Sequence, residues 1–170
     1  MKTSAPLSKV QQGLYAECIA HRGEACYNIP FHHVLDEGLD GERLRRAIEA
    51  VVAAHPTLFT RIEVDGEGNP VQTIDDSEAF SLALERTEDI GAEVAGFIRP
   101  YELVGERLFR VRLLRDKEHF HLLLDMHHII ADGGSWRVLL ADLEKAYAGE
   151  PLEREAFTLA DVAREEAKRM

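Results

Sequence analysis

The sequence is poor in cysteine, has no long apolar run and carries no excess of positive charge. Its 170 residues include only Cys18 and Cys26, whose spacing fits neither a metal site nor a disulfide framework. This usage is typical of a reduced, cytoplasmic protein. No stretch is apolar for long enough to span a bilayer, and the N-terminus lacks a signal-peptide pattern. We therefore expect no membrane insertion.

The charge balance argues against polyanionic partners. Asp and Glu number 31 against 20 Lys and Arg, which gives a formal net charge of −11. Nucleic acid and anionic membrane surfaces repel such a chain, so we expect neither as a partner. Internal repeats and low-complexity segments are absent, and a chain of this length can bury one sizeable core. One globular unit is the prediction.

Apolar periodicity predicts alternating helices and strands. Ser8 and Gln11 form a capping box that opens a helix reaching about residue 21. Further helices are predicted at about 41–55, 92–101 and 135–147 and from 158 onward, and strands at 28–36, 58–64, 71–74, 81–86, 109–113 and 120–128. The order predicts an α/β fold in which helices pack on a mixed β-sheet.

The most informative stretch is the string HHIIADG, from His127 to Gly133. It lies between a predicted strand and a predicted helix. Strand alternation makes His128 continue the apolar row of 120–126, whereas His127 faces the other way. We therefore expect a buried His128, kept neutral by burial and a nearby helix N-terminus and able to accept a proton. His127 is expected to support local structure.

The turn residues of this string have expected roles as well. Asp132 can hold the loop by an ion pair or by capping the following helix. Gly133 and Gly134 permit tight backbone turns that a side chain would obstruct.

The string resembles the HHxxxDG motif of nonribosomal peptide synthetase condensation domains, which share the chloramphenicol acetyltransferase-like fold. Other segments resemble this family in the expected order, namely 7–15, 27–31, 55–61, 147–152 and 157–161. One position departs from the pattern, because Phe59 stands where the family has an arginine. The resemblance implies that Asp132 pairs with an arginine, and we expect Arg61, two residues further along the strand, to take that place.

The resemblance implies a two-lobed domain with its active site in a channel between the lobes. Residues 1–170 would be the N-terminal lobe, so the isolated chain is expected to be inactive. The implied reaction joins a donor acyl thioester to an acceptor amine, both carried on the phosphopantetheine of carrier proteins. His128 would be the base or orienting group, and Gly133 would keep the channel wall close to the pantetheine.

The resemblance further implies that no metal or cofactor is bound directly. The implied partners are carrier proteins, the second lobe and an adenylation domain.

Three alternatives stay open on the sequence alone. An epimerization domain shares the histidine motif, and residues 135–137 are similar to that subgroup, whereas 11–15 and 27–30 favour peptide-forming members. A non-catalytic carrier-protein-binding lobe would also keep the motif. A metal site would draw on several histidines and aspartates, namely His119, His121, His127, His128, Asp125 and Asp132.

Overall fold

The computed structural model describes residues 2–169, in which helices and strands alternate. The helices are α1 (Lys9–Ala20), α2 (Gly41–Ala54), α3 (Ile90–Phe97), α4 (Ser135–Ala148) and α5 (Leu159–Lys168), with a short 3-10 helix at Pro56–Phe59. The strands are β1 (Lys2–Pro6), β2 (Asn28–Leu35), β3 (Thr60–Val64), β4 (Pro70–Asp75), β5 (Leu84–Arg86), β6 (Phe109–Arg115) and β7 (Phe120–His127). None of the helices in this range is long and apolar enough to cross a membrane.

The strands of residues 2–169 form two sheets. A three-stranded antiparallel sheet has the order β1-β4-β3, and a four-stranded sheet has the order β2-β7-β6-β5. In the larger sheet β5 runs parallel to β6 and the other neighbours are antiparallel, which confirms the predicted mixed sheet. The smaller sheet was predicted only as its β3–β4 hairpin. Strand β1 was missed because its polar sequence has no apolar alternation, and its pairing with β4 comes from a distant part of the chain.

One strand boundary matters for the site. The sequence predicts a strand over 58–64, but residues up to Phe59 form the 3-10 helix and the strand begins at Thr60. Pro56 lies at the start of that helix, where its fixed φ is compatible with a helical turn. Phe59 and Arg61 therefore do not share a continuous strand.

Strand β7 is the most enclosed element of the larger sheet, because all eight of its residues are buried. It lies between β2 and β6, with Asn28 opposite His127 and Phe109 opposite Met126. One face packs on the core beneath α2 and α4, and on the other face Leu123 packs against Phe97 of α3. The strand that leads to the histidine pair is thus held on both edges and both faces.

The β6–β7 hairpin is held by one carboxylate. Asp116 accepts hydrogen bonds from the backbone N–H groups of Glu118 (2.8 Å) and His119 (2.6 Å), and from His121 Nε2 (2.7 Å). The bond from His119, with the others, holds the pKa of the Asp116 carboxyl well below its usual range. The carboxylate thereby fixes the register of β7, which decides the sheet face that each of its side chains occupies.

We expect Leu113→Ala to lower the free energy of unfolding by about 2–5 kcal/mol, because it leaves a cavity in the centre of the sheet. Leu113 is 0% exposed and lies opposite Leu122. Val34→Ala, at a site that is 50% exposed, is the control and should change stability by less than about 0.5 kcal/mol. Urea unfolding measures both. A loss below about 1 kcal/mol for Leu113→Ala would contradict the packing described.

Candidate active site

The chain turns sharply at the end of β7. The backbone N–H of His127 donates to Leu108 O (2.9 Å), and that of His128 donates to Tyr27 O (2.8 Å). The N–H of Ile130 then turns back to donate to His127 O (3.0 Å). These bonds close a turn over residues 128–130.

This turn decides the burial of the two histidines. His127 is buried, with 5% of its surface exposed, and His128 is exposed. The expectation of a buried His128 is therefore wrong. That expectation rested on strand alternation. Alternation ends at His127, the last residue of β7, because the next three residues form the turn. The expectation that the two rings occupy different environments is confirmed.

His127 is enclosed by aromatic rings and by α1. Its Nδ1 accepts a hydrogen bond from the Ile129 N–H (3.0 Å), and its Nε2 lies 3.5 Å from Cys18 Sγ. Tyr101 meets the ring edge-on, with 5.8 Å between the centroids. Burial, helped by the nearby His128, lowers the pKa of His127 to about 4. His127 is therefore a neutral imidazole at pH 7 that supports the turn.

His128 lies at the wall of an open cavity of about 490 Å³. The cavity is bounded by α1, α4, α5 and the turn after β7. Its wall combines aliphatic and polar side chains, which include Val10, Gln11, Leu14, Met126, Ile129, Ser135, Val138, Leu139, Glu155, Leu159 and Val162. An imidazole at such a position can exchange a proton or a hydrogen bond with a molecule in the cavity.

The carboxylate of Asp132 holds the turn that leads into helix α4, whose N-cap position is Gly134. Its Oδ1 accepts hydrogen bonds from the backbone N–H groups of Gly134 (2.8 Å) and Ser135 (3.0 Å) and from Ser135 Oγ (3.2 Å). These bonds, led by the one from Gly134, hold the pKa of the carboxyl below its usual range. Asp132 therefore fixes the turn before α4 without occupying the N-cap position.

The expected ion pair between Asp132 and Arg61 is wrong. Arg61 instead donates to both carboxylate oxygens of Glu78, from Nη1 at 2.7 Å and from Nη2 at 3.1 Å. Arg107 contacts the same carboxylate and lies over the ring of Phe59, with 5.6 Å from its Cζ to the ring centroid. Arg61 lies on β3 of the smaller sheet, and the carboxylate of Asp132 is already occupied by the start of α4.

The two glycines of the turn differ in what they require. A Cβ added to Gly133 would meet no other atom of residues 2–169 within 4 Å, and its φ is not positive. The expectation that a side chain would be obstructed is wrong for Gly133 within this part of the chain. A Cβ on Gly134 would lie 3.2 Å from Asp132 Oδ1, so that position is the tighter one. Gly133 faces open space.

Two glutamines outside the predicted site residues support the turn. Gln11 Nε2 donates to Ile129 O (3.2 Å), and the side-chain amides of Gln11 and Gln72 bond to each other. Both side chains are buried. The capping box with Ser8 identified Gln11 as a helix residue, and that box is present. The bond from Gln11 to Ile129 O, and all side-chain bonds of Gln72, join segments that are far apart in the chain, and a single sequence does not reveal such contacts.

The metal-site alternative is not supported by the side-chain arrangement. Among residues 2–169, no three His, Cys, Asp or Glu side chains are grouped so that they could hold a metal ion. His121 bonds through Nε2 to Asp116 and through Nδ1 to His32 (2.9 Å). Asp125 is fully buried and accepts from Asn28 Nδ2 (2.7 Å). These groups are engaged in separate contacts.

Comparison with known proteins gives a consistent family. The family profile described as Condensation domain matches residues 1–170. Surfactin synthase subunit 2 of Bacillus subtilis (strain 168) is 36% identical over 162 residues, which cover 93% of this chain and 4% of that protein. Tyrocidine synthase 2 of Brevibacillus parabrevis is 34% identical over 140 residues, 81% of this chain and 4% of that protein. The chain thus spans a small part of the length of these relatives.

Solved structures agree. The condensation domain from the Monacolin K polyketide synthase MokA superposes with a TM-score of 0.81 at 19% identity, over 98% of this chain and 39% of that chain. The X-domain solved in complex with OxyB from teicoplanin biosynthesis has a TM-score of 0.78 at 27% identity, over 96% of this chain and 38% of that chain. The chain covers less than half of either structure, and the likeness to the first is one of fold.

We expect Asp132→Ala to lower the free energy of unfolding by about 1 kcal/mol, because the N–H groups of Gly134 and Ser135 lose their acceptor. Asp132→Asn is the matched control, since its amide oxygen can accept the same bonds, and it should retain most of the stability. Chemical denaturation at pH 7 measures both.

Double-mutant cycles test the partner of Arg61. Arg61→Ala combined with Glu78→Ala should be non-additive, whereas Arg61→Ala combined with Asp132→Ala should be additive within about 0.5 kcal/mol. Coupling in the second pair would contradict the contacts described.

We expect the free energy of unfolding to decrease as the pH is lowered between the unfolded and folded pKa values of His127. Its pKa is lowered to about 4 in the folded chain, whereas an unfolded histidine titrates at about 6.5. Its contribution is complete above the higher value and is lost as the pH falls towards the lower one, by about 1.4 kcal/mol per pH unit. His127→Gln should reduce this slope by the share of His127, while burial also lowers the pKa of His32, which keeps its own share, and His119→Gln, just before β7, should leave the slope unchanged. An unchanged slope in His127→Gln would exclude this ring as its source.

Proposed function

We propose that this chain, which belongs to the condensation domain family, is the N-terminal lobe of a two-lobed domain that forms amide bonds. The second lobe would close the cavity beside His128 into a channel. The single observation that carries the proposal is that His128 is exposed at the wall of an open cavity of about 490 Å³, next to a buried and immobilised His127.

The proposed reaction is acyl transfer between two carrier proteins. The donor acyl group is held as a thioester on the phosphopantetheine of one carrier, and the acceptor amine is held on another. The amine nitrogen attacks the thioester carbonyl, a C–N bond forms, the C–S bond breaks, and the pantetheine thiol leaves. The amine loses one proton, and the leaving sulfur takes one up. Because the thioester is already activated, the domain has to orient the two substrates and manage that proton.

His128 is the residue proposed to manage the proton. Its ring borders the cavity, while its backbone N–H is fixed by Tyr27 O. In this scheme it accepts the proton of the attacking amine or orients the amine by a hydrogen bond. No metal or directly bound cofactor enters the scheme, since the phosphopantetheine belongs to the carrier proteins. Carrier proteins, the second lobe and an adenylation domain are the proposed partners, in a cytoplasmic synthetase.

The neighbours of His128 have positioning roles in the proposal. His127 shapes the turn through its bond from the Ile129 N–H, and Asp132 holds the turn to α4. Gly133 has open space around its Cα, which fits a wall along which a slender pantetheine arm passes.

A second candidate function is protein binding without catalysis. The observation that favours it is the likeness to the X-domain that was solved in complex with OxyB, at 27% identity. A lobe of this kind would use the same fold to hold a partner protein. Loss of transfer on mutation of His128 separates the two candidates, because a binding lobe does not depend on that imidazole.

The decisive experiment uses a two-lobed protein in which this chain is joined to the C-terminal half of a condensation domain. With donor and acceptor loaded on carrier proteins, we expect His128→Ala to lower the transfer rate by about 100-fold, at the low end for loss of a general base. His119→Ala, just before β7 and away from the cavity, is the matched control and should keep the rate. Product analysis distinguishes an amide from an inverted Cα centre, the product of an epimerization domain.

Thermal melting and carrier binding are measured on the same proteins. His128→Ala should leave both nearly unchanged, since the ring is exposed, whereas His127→Ala should lower the melting temperature because it empties a buried site. The 170-residue chain alone is expected to give no measurable transfer. Normal transfer by His128→Ala would refute the assigned role, and full-rate transfer by the isolated chain would refute the need for two lobes.

A further inference from the structure

The ring of His127 has a defined tautomer. The Ile129 N–H donates to Nδ1 at 3.0 Å, and an imidazole nitrogen that accepts a hydrogen bond carries no proton. The ring is buried among Tyr27, Tyr101 and the backbone of the turn, where its neutral form is favoured. A neutral imidazole has one N–H, so the proton must lie on Nε2.

That Nε2–H points at a cysteine. Cys18 Sγ lies 3.5 Å from Nε2, and no second hydrogen-bond partner of this nitrogen is found in residues 2–169. A sulfur is a weak acceptor, but inside a protein the alternative is a buried N–H without any partner, which is costly. Cys18 lies on α1, so this contact ties the helix to the end of β7.

The thiol of Cys18 is suited to accept rather than to react. Burial raises its pKa to about 11, and the nearby Cys26 and Glu17 act in the same direction. The group is therefore a neutral thiol at pH 7, which is a poor nucleophile. A thiolate at this place would attract a proton to His127, whereas a neutral sulfur leaves the ring neutral.

The opposite tautomer would break the turn. A proton on Nδ1 would face the N–H of Ile129, so two donors would oppose each other and the bond at 3.0 Å would be lost. Ile129 is also held at its carbonyl by Gln11, and Ile130 donates to His127 O. His128 lies between the two ends of this arrangement, so its direction into the cavity depends on the tautomer of the preceding ring.

We propose that Cys18 is a positioning residue for His128, which it orients by fixing His127 in the Nε2–H tautomer. The sulfur does not touch the cavity beside His128 and takes no part in the chemistry. The relevance of this device to acyl transfer rests on the proposed function, but the tautomer itself does not.

The test is nitrogen NMR of the histidine rings in the 170-residue chain, with amide hydrogen exchange of Ile129. In the wild type, Nδ1 of His127 is expected at the shift of an unprotonated nitrogen and Nε2 at that of a protonated one. Cys18→Ala should give a mixture of the two tautomers. It should also accelerate hydrogen exchange of the Ile129 amide by up to about tenfold, which corresponds to the net free energy of one hydrogen bond. Cys18→Ser keeps an acceptor and should restore both readouts. Cys26→Ala, at an exposed cysteine, is the matched control and should change neither.

A wild-type ring signature and wild-type Ile129 exchange in Cys18→Ala would overturn the inference. If that variant does not fold, Cys18→Val replaces it, because valine fills the volume without an acceptor, and the comparison with Cys18→Ser decides in the same way. In the two-lobed protein, Cys18→Ala should slow transfer and Cys18→Ser should restore it. Unchanged transfer in Cys18→Ala while His128→Ala is inactive would refute the positioning role and leave the proposed function standing. Normal transfer in His128→Ala would refute the function and leave the tautomer result intact.

Discussion

The hydrogen bond from the Ile129 amide to His127 Nδ1 is the interaction on which the site depends. It exists only if His127 is neutral, and His127 is neutral because it is buried. Burial in turn requires β7 to be clamped between β2 and β6, with Tyr27 and Tyr101 closing over the ring. The bond holds the turn that follows His127, and the next residue, His128, is exposed. One buried imidazole thereby places its neighbour at the surface.

Local signals carried most of the fold prediction. The capping box at Ser8, the Asp40 cap and the apolar stripes of α2 and α4 involve neighbours in the chain, so a single sequence shows them. Strand β1 depends on a distant partner, β4, and the sequence did not show it. The end of the 3-10 helix at Pro56–Phe59 was predicted as the start of strand β3 because its residues are apolar. The motif was located correctly, but His128 is exposed where burial was predicted. Alternation holds only while the ladder continues, and the bond from Ile130 to His127 O ends it.

Charge pairing was the least predictable part of the site. The family resemblance predicted that Asp132 and Arg61 form an ion pair, yet each side chain has another partner. Asp132 accepts hydrogen bonds from backbone N–H groups two and three residues further along the chain, so its partners are local. Arg61 takes Glu78, from a loop beyond β4, and Arg107 shares that carboxylate while covering Phe59. Phe59, which stands where the family pattern has an arginine, is thus covered by Arg107 from another segment.

The carboxylate of Asp132 before α4 also limits the electrostatics of the cavity. A helix N-terminus offers N–H groups to an anion, and in acyl transfer the carbonyl oxygen becomes negatively charged as the tetrahedral intermediate forms. Here the N–H groups of Gly134 and Ser135 are bonded to the carboxylate of Asp132, which brings a negative charge of its own. Those two amides are not free to serve as an oxyanion hole. In the proposed reaction the wall beside His128 therefore supplies orientation, and charge stabilisation must come from other groups.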